Sequence, residues 1–156
     1  MQNATTRFGF TLVEIIIVAS IISLLIAIGV PTMRNAGEQA RNKRFAREII
    51  TASHAFVQYA FENGGYPADK TPSQMPEGMV PYLKSFPWTE KTVIGGQWDW
   101  DFRQFGVYAA VSVYNPNWDN DRMQRIDAII DDGNLGTGQF RSRSGGYMYV
   151  LEELTP

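Results

Sequence analysis

Few side chains in this sequence are placed to do chemistry, and one of them stands in unfavourable surroundings. Glu14 lies near the start of an almost wholly apolar run, residues 12–30 (LVEIIIVASIISLLIAIGV). A carboxylate at the centre of a membrane helix costs about 2.5–3.5 kcal/mol, and less near the helix end. It therefore needs a partner. That partner is either its own helix N-terminus, where the dipole favours an acid, or a cation brought from elsewhere. A second group of oxygens lies far along the chain: Asp127, Asp131, Asp132 and Asn134, with Gly133, Gly136 and Gly138 among and after them. Two acids at a helix C-terminus oppose its dipole, and a hard cation with oxygen ligands would offset them. The spacing matches no standard calcium loop, so Asp131, Asp132 and Asn134 are metal candidates by ligand type alone. The bland alternative is a set of solvated loop acids.

The remaining inventory excludes more than it suggests. There is no cysteine, which removes thiol nucleophiles, thiolate metal sites and disulfides together. The single histidine, His54, falls on the polar side of a helical pattern with Arg47 and Gln58, and no nucleophile and base are arranged as a pair. The chain therefore reads as a non-enzyme. The glycines of Gly133–Gly138 (GNLGTG) do not lie between a strand and a helix in nucleotide-binding spacing, so no phosphate cradle is expected. Formal net charge is -2, but it is unevenly placed. Arg34, Arg41, Lys43, Arg44 and Arg47 outnumber Glu38 and Glu48, whereas residue 62 onward holds 13 Asp/Glu against 8 Lys/Arg. A basic stem thus carries an acidic head, and an acidic head is wrong for nucleic acid.

The elements that position these groups follow from periodicity. No charge occurs between Glu14 and Arg34, a 19-residue stretch, long enough to cross a bilayer as a helix. The helix is expected to continue to Glu62, where Asn63-Gly64-Gly65 and Pro67 stop it. From Phe10 to Glu62 is 53 residues, roughly 80 Å at 1.5 Å each. Pro31 removes a hydrogen bond to the Ala27 carbonyl, with Gly29 close by, and predicts a kink. Beyond it, Phe45, Ile49, Ala52, Phe56 and Ala60 form one apolar stripe, and Ile50, Val57 and Phe61 a second. The first is assigned to a sheet and the second to neighbouring helices. A helix wrapped more deeply within a monomer is the alternative.

Residues 64–92 read as a loop with a short helix or turn near Met75–Leu83. Trp98, Trp100 and Phe102 alternate with Gln97, Asp99 and Asp101 as a half-buried strand. Val107, Ala109, Val111 and Val113 complete a hairpin, and Tyr147, Tyr149 and Leu151 give a third strand. Between them Asn117 or Asp119 caps a helix with Met123, Ile126, Ile129 and Ile130 facing inward. With no disulfide available, the head's four tryptophans and its tyrosines carry much of its burial.

Gly9-Phe10-Thr11-Leu12-Val13-Glu14, the charge-free run and Pro31 together resemble the N-terminal segment of type IV prepilins and type II secretion pseudopilins. The polar leader MQNATTRFG precedes the apolar run, the reverse of a secretory signal in which cleavage removes the apolar core. The resemblance implies a prepilin peptidase and methyltransferase that cuts after Gly9 and N-methylates Phe10. Glycine at position 9 suits this physically, since a chain without a Cβ threads a tight cleft more easily. The implied domains are a leader (1–9), a transmembrane and assembly helix (10–33), an amphipathic stem (34–63) and a globular head (64–156). The implied fold is α+β, a long N-terminal helix packed on a small antiparallel sheet. One departure is the pair Ser20 and Ser23, where relatives often carry a glycine.

The family also implies a function. Copies of the chain would polymerise, with other pilins or pseudopilins, into a filament built on an inner-membrane assembly platform. After cleavage the Phe10 amine lies one helical turn from Glu14, and a neighbouring copy's amine could meet this carboxylate in low dielectric and fix the register. The head would be periplasmic and the leader cytoplasmic. Counted alone, the basic residues after the span favour the opposite orientation, but the processing motif is the more specific signal. Lipid is a partner, and no cofactor is required, although major pseudopilins bind calcium in a C-terminal loop. Absence of cysteine and the acidic glycine-rich loop favour a type II secretion pseudopilin supporting protein export. A major or minor type IV pilin, serving adhesion, motility or DNA uptake, is the alternative.

Overall fold

Residues 9–154 are described by a computed structural model, the side chain of residue 31 excepted. The elements are α1 (Leu12–Asn63), β1 (Gln97–Phe102), β2 (Val107–Tyr114), α2 (Asn120–Ile130), β3 (Phe140–Arg143) and β4 (Gly146–Glu153). The chain divides into two compact units, Met1–Gln39 and Ala40–Pro156.

In the first unit the helix has its apolar side chains exposed, and it is long and apolar enough to cross a membrane. Its two serines cost little there. Ser20 donates to the Ile16 carbonyl at 2.8 Å and Ser23 to the Ala19 carbonyl at 2.7 Å, so each hydroxyl is satisfied within the helix. Helical backbone is unbroken through position 31. Apart from Gly9, the expected leader lies outside the described residues.

The second unit is an α+β head built around the C-terminal half of α1. Phe45, Ile49, Ala52 and Phe56 are completely buried, as one stripe of a helix lying on a sheet should be. Phe56 stacks on Trp100 with ring centroids 4.0 Å apart, and Phe45 stacks on Trp98 at 5.5 Å. On the other stripe Val57 and Phe61 are exposed, Phe61 at 90%. The helix ends where glycine permits: Gly64 takes φ 75°, and the Gly65 N–H returns to the Ala60 carbonyl at 3.1 Å.

The sheet has the order β1-β2-β4-β3, with every neighbouring pair antiparallel. Trp100, Val111, Tyr149 and Phe140 follow one another across it in register, on the face that meets α1. Flanking segments bond to both sheet edges, at several points on β1 and at one backbone group on β3. On β1, Trp98 O accepts from Ser73 N at 2.8 Å, Phe102 N donates to Asp69 Oδ1 at 2.9 Å, and Lys70 bridges to Trp100. On β3, Ser142 N donates to Leu135 O at 2.9 Å.

Three expectations for the head need correction. β1 is not half-buried: Asp99 and Asp101 are buried along with the tryptophans, because Arg143 reaches them across the outer face of the sheet. In α2, capped by the Asp119 side chain accepting from Arg122 N at 3.0 Å, Met123 and Ile126 face inward as expected. Ile129, however, is exposed, and Asp127 is buried instead. β3, a four-residue strand with no apolar alternation, adds a fourth strand to the three expected. The Met75–Leu83 segment is a series of turns whose Met79 and Leu83 enter the core.

Removing the Phe56 ring should cost about 3–5 kcal/mol, because nothing mobile can refill the space between Trp88 and Trp100. Phe61→Ala should fall within about 0.5 kcal/mol of the parent. Denaturant unfolding of the micelle-solubilised chain, followed by tryptophan fluorescence, compares the two.

Candidate functional site

The first candidate site is the start of α1. Gly9, Phe10 and Thr11 precede the helix, and Phe10 is 84% exposed. A Cβ built on Gly9 meets nothing within 4 Å, so the fold itself places no demand for glycine there. Glu14 is tied to the residue that opens the helix. Its Oε2 accepts from Thr11 N at 2.8 Å and from Thr11 Oγ1 at 2.9 Å, while Glu14 N approaches Thr11 Oγ1 at 3.3 Å. Thr11-Leu12-Val13-Glu14 is thus a capping box, in which side chains satisfy donors that the first helical turn leaves open. The local reading of Glu14 as a partner for its own helix N-terminus is realised. A glutamine would serve the cap equally well, so the cap accounts for the position but not for the negative charge.

The second candidate site is the turn between α2 and β3. It unites three carboxylates, Asp127, Asp131 and Asp132, each offering an oxygen within 4.8 Å of the others. Each is held differently. Asp132 accepts from Asn134 N and from Thr137 Oγ1, both at 2.7 Å, and these bonds hold its carboxyl below the ordinary range. Asp131 caps α2 and accepts from Gln139 N. Gly138, at φ 74°, is required beside it, because a Cβ there would overlap the Asp131 carboxylate. Asp127 is wholly buried, and neither of its carboxylate oxygens has a hydrogen-bond partner. Burial, then repulsion from Asp132 and Asp131, pushes it up to about 6. A buried carboxylate without a donor is expensive, and a divalent cation among three carboxylates would remove that cost. The set therefore fits a hard cation. Asn134, the remaining candidate ligand, turns its Oδ1 back to Gly136 N at 3.1 Å and is already engaged. Asp127, four residues before Asp131 on the inward face of α2, adds a third carboxylate beside the candidates Asp131 and Asp132.

Among the described residues His54 is exposed on α1 and makes no hydrogen bond or ion pair. In the basic stem Arg44 pairs with Glu48 at 2.7 Å, beside a groove of about 350 Å³ that Phe86 helps to wall.

Comparison with known proteins gives a consistent answer at low identity. The chain is 28% identical over 109 residues to the type II secretion system core protein G of Escherichia coli strain K12, covering 60% of this chain and 75% of that protein. It is 30% identical over 67 residues to the protein of the same name from Pectobacterium carotovorum, 43% of each. Against the Dickeya chrysanthemi protein of that name it is 24% identical over 153 residues, 88% of this chain and 94% of the other. No family model matches the chain. No solved structure matches it either.

With metal removed at pH 7, Asp127→Asn should melt above the parent. It exchanges a desolvated charge for a neutral amide of the same shape. The expected rise is roughly 2–8 °C, the shift that about 1 kcal/mol produces in a domain of this size. Differential scanning calorimetry in chelator measures it.

Proposed function

We propose, from the premise that this chain is a pseudopilin-like protein of the type II secretion kind, that it is a structural subunit of a pseudopilus that supports protein export. The observation that carries the reading is the acidic first turn of a membrane-length apolar helix, directly after Gly9-Phe10. Cleavage after Gly9 would expose a new amine on Phe10, and methylation of that amine would leave its positive charge in place. Glu14 would then have two tasks. It caps its own helix through Thr11, and it presents a carboxylate to the Phe10 amine of an adjoining subunit. Opposite charges in a medium of low dielectric attract far more strongly than at a wet surface, so the pairing would fix how far one subunit is shifted along its neighbour. The peptidase, the assembly platform and the other pseudopilins are the partners this reading requires. A bend at Pro31 would let the membrane segment and the stem follow different axes.

The acidic turn is read as a calcium site within the same subunit, with Asp127, Asp131 and Asp132 as ligands. A bound cation would neutralise the desolvated Asp127 and tie the end of α2 to the start of β3.

Two variants separate the tasks of Glu14. Glu14→Gln preserves the capping box and removes the charge, whereas Glu14→Ala removes both. If charge sets the register, both are cleaved normally and both fail to enter sheared filaments. Filaments of normal yield from Glu14→Gln would reduce Glu14 to a helix cap. Mass spectrometry of the cell-derived chain should find Phe10 at the N-terminus, monomethylated; a retained leader would overturn the assignment to this family's pathway. Calcium should raise the melting temperature of the parent, and Asp127→Asn should lose most of that rise.

A further inference from the structure

The outer face of the sheet, away from α1, holds a charged cluster that neither the filament reading nor the acidic turn uses. Arg143, the last residue of β3, extends its side chain across this face to β1. Nη2 lies 2.6 Å from Asp99 Oδ2 and Nε lies 3.0 Å from Asp101 Oδ2, the latter an ion-pair contact without hydrogen-bond geometry. All three side chains are withdrawn from water: 2% exposed for Arg143, 7% for Asp99 and 4% for Asp101. Gly146, which pairs with Arg143 on one side and with Tyr114 on the other, has no side chain to obstruct the lane. The rings of Phe105 and Tyr114 lie 4.5 and 5.9 Å from the guanidinium carbon and cover it.

We propose that this cluster is a built-in proton acceptor that makes the head more stable in mild acid than at neutral pH, with Asp99 taking the proton. The charge count is the reason. One guanidinium faces two buried carboxylates, so one negative charge remains without a counter-charge in a poorly solvated place, where it is costly. The other groups facing Asp99 do not supply one. Ser112 on β2 is neutral and donates its hydroxyl to Asp101, and Asp69 in the segment before β1 adds repulsion. The Asp101 carboxyl is also raised by burial, but the Ser112 bond opposes that rise. Among the described residues Asp99 accepts only the Trp100 N–H at 3.0 Å besides the arginine. Burial, then repulsion from Asp101, pushes Asp99 up to about 6 against the pull of Arg143.

The sign follows from linkage. The folded state binds a proton more tightly than the unfolded chain, whose aspartates titrate near 3.8. The stabilisation is therefore present in full below 3.8 and is lost as pH rises through 6. The test uses the full chain in detergent micelles, with chelator throughout, and compares the parent with Asp99→Asn. On going from pH 7.5 to pH 5, the parent's folding equilibrium constant should gain about tenfold relative to the variant. Asp127 titrates equally in both and cancels. Equal pH slopes for the two proteins would overturn the proposal. Should Asp99→Asn fail to fold, carbon-13 NMR of the parent's Asp99 carboxyl decides independently. An inflection near 6 supports the proposal, and one at or below 4 sinks it.

Discussion

Stacking of Phe56 on Trp100 and of Phe45 on Trp98 is the contact on which the head depends. A domain without disulfides must draw its stability from area and fit, and these four rings provide both where α1 crosses β1. The constraint runs outward from there. If Trp98 and Trp100 face the helix, strand alternation turns Asp99 and Asp101 to the opposite face. If Phe45 and Phe56 face the sheet, the helical period leaves Phe61 pointing away from it. What the head hides and what it offers are both set by one helix-on-strand register.

The sequence made much of this legible because the signals were periodic. The Phe45–Phe56 stripe, the alternating tryptophans, the Val107–Val113 strand and the Asp119 cap all rest on local spacing, and all appear in the structure. The long helix was readable for the same reason, and its end at Asn63 lies one residue from the expected stop. The resemblance to pseudopilins rested on six residues and an apolar run, and three relatives of one name agree with it.

The rest was hidden because it depends on residues far apart in sequence. Nothing in QWDWDF announces that its acids are buried on the outer face of the sheet; the cause is an arginine 44 positions away from Asp99. β3 has four residues and was unreadable without its partner β4. Asp127 was visible as an acid near the turn, but its burial follows from how α2 rolls onto the core, with Ile129 outward. The acids of that turn are plain in the sequence, but only the fold reveals that the inward-facing one has no hydrogen-bond partner.

The covered margin of the sheet at β1 restricts how such a head can meet other molecules. Strand addition, in which a foreign peptide extends a sheet through main-chain bonds, needs a row of open N–H and C=O groups. Here the segment before β1 occupies one margin, and Leu135 takes up the Ser142 N–H of the other. Crowded copies of this domain are thereby denied strand addition along β1. A partner that attaches along β1 must read side chains rather than backbone.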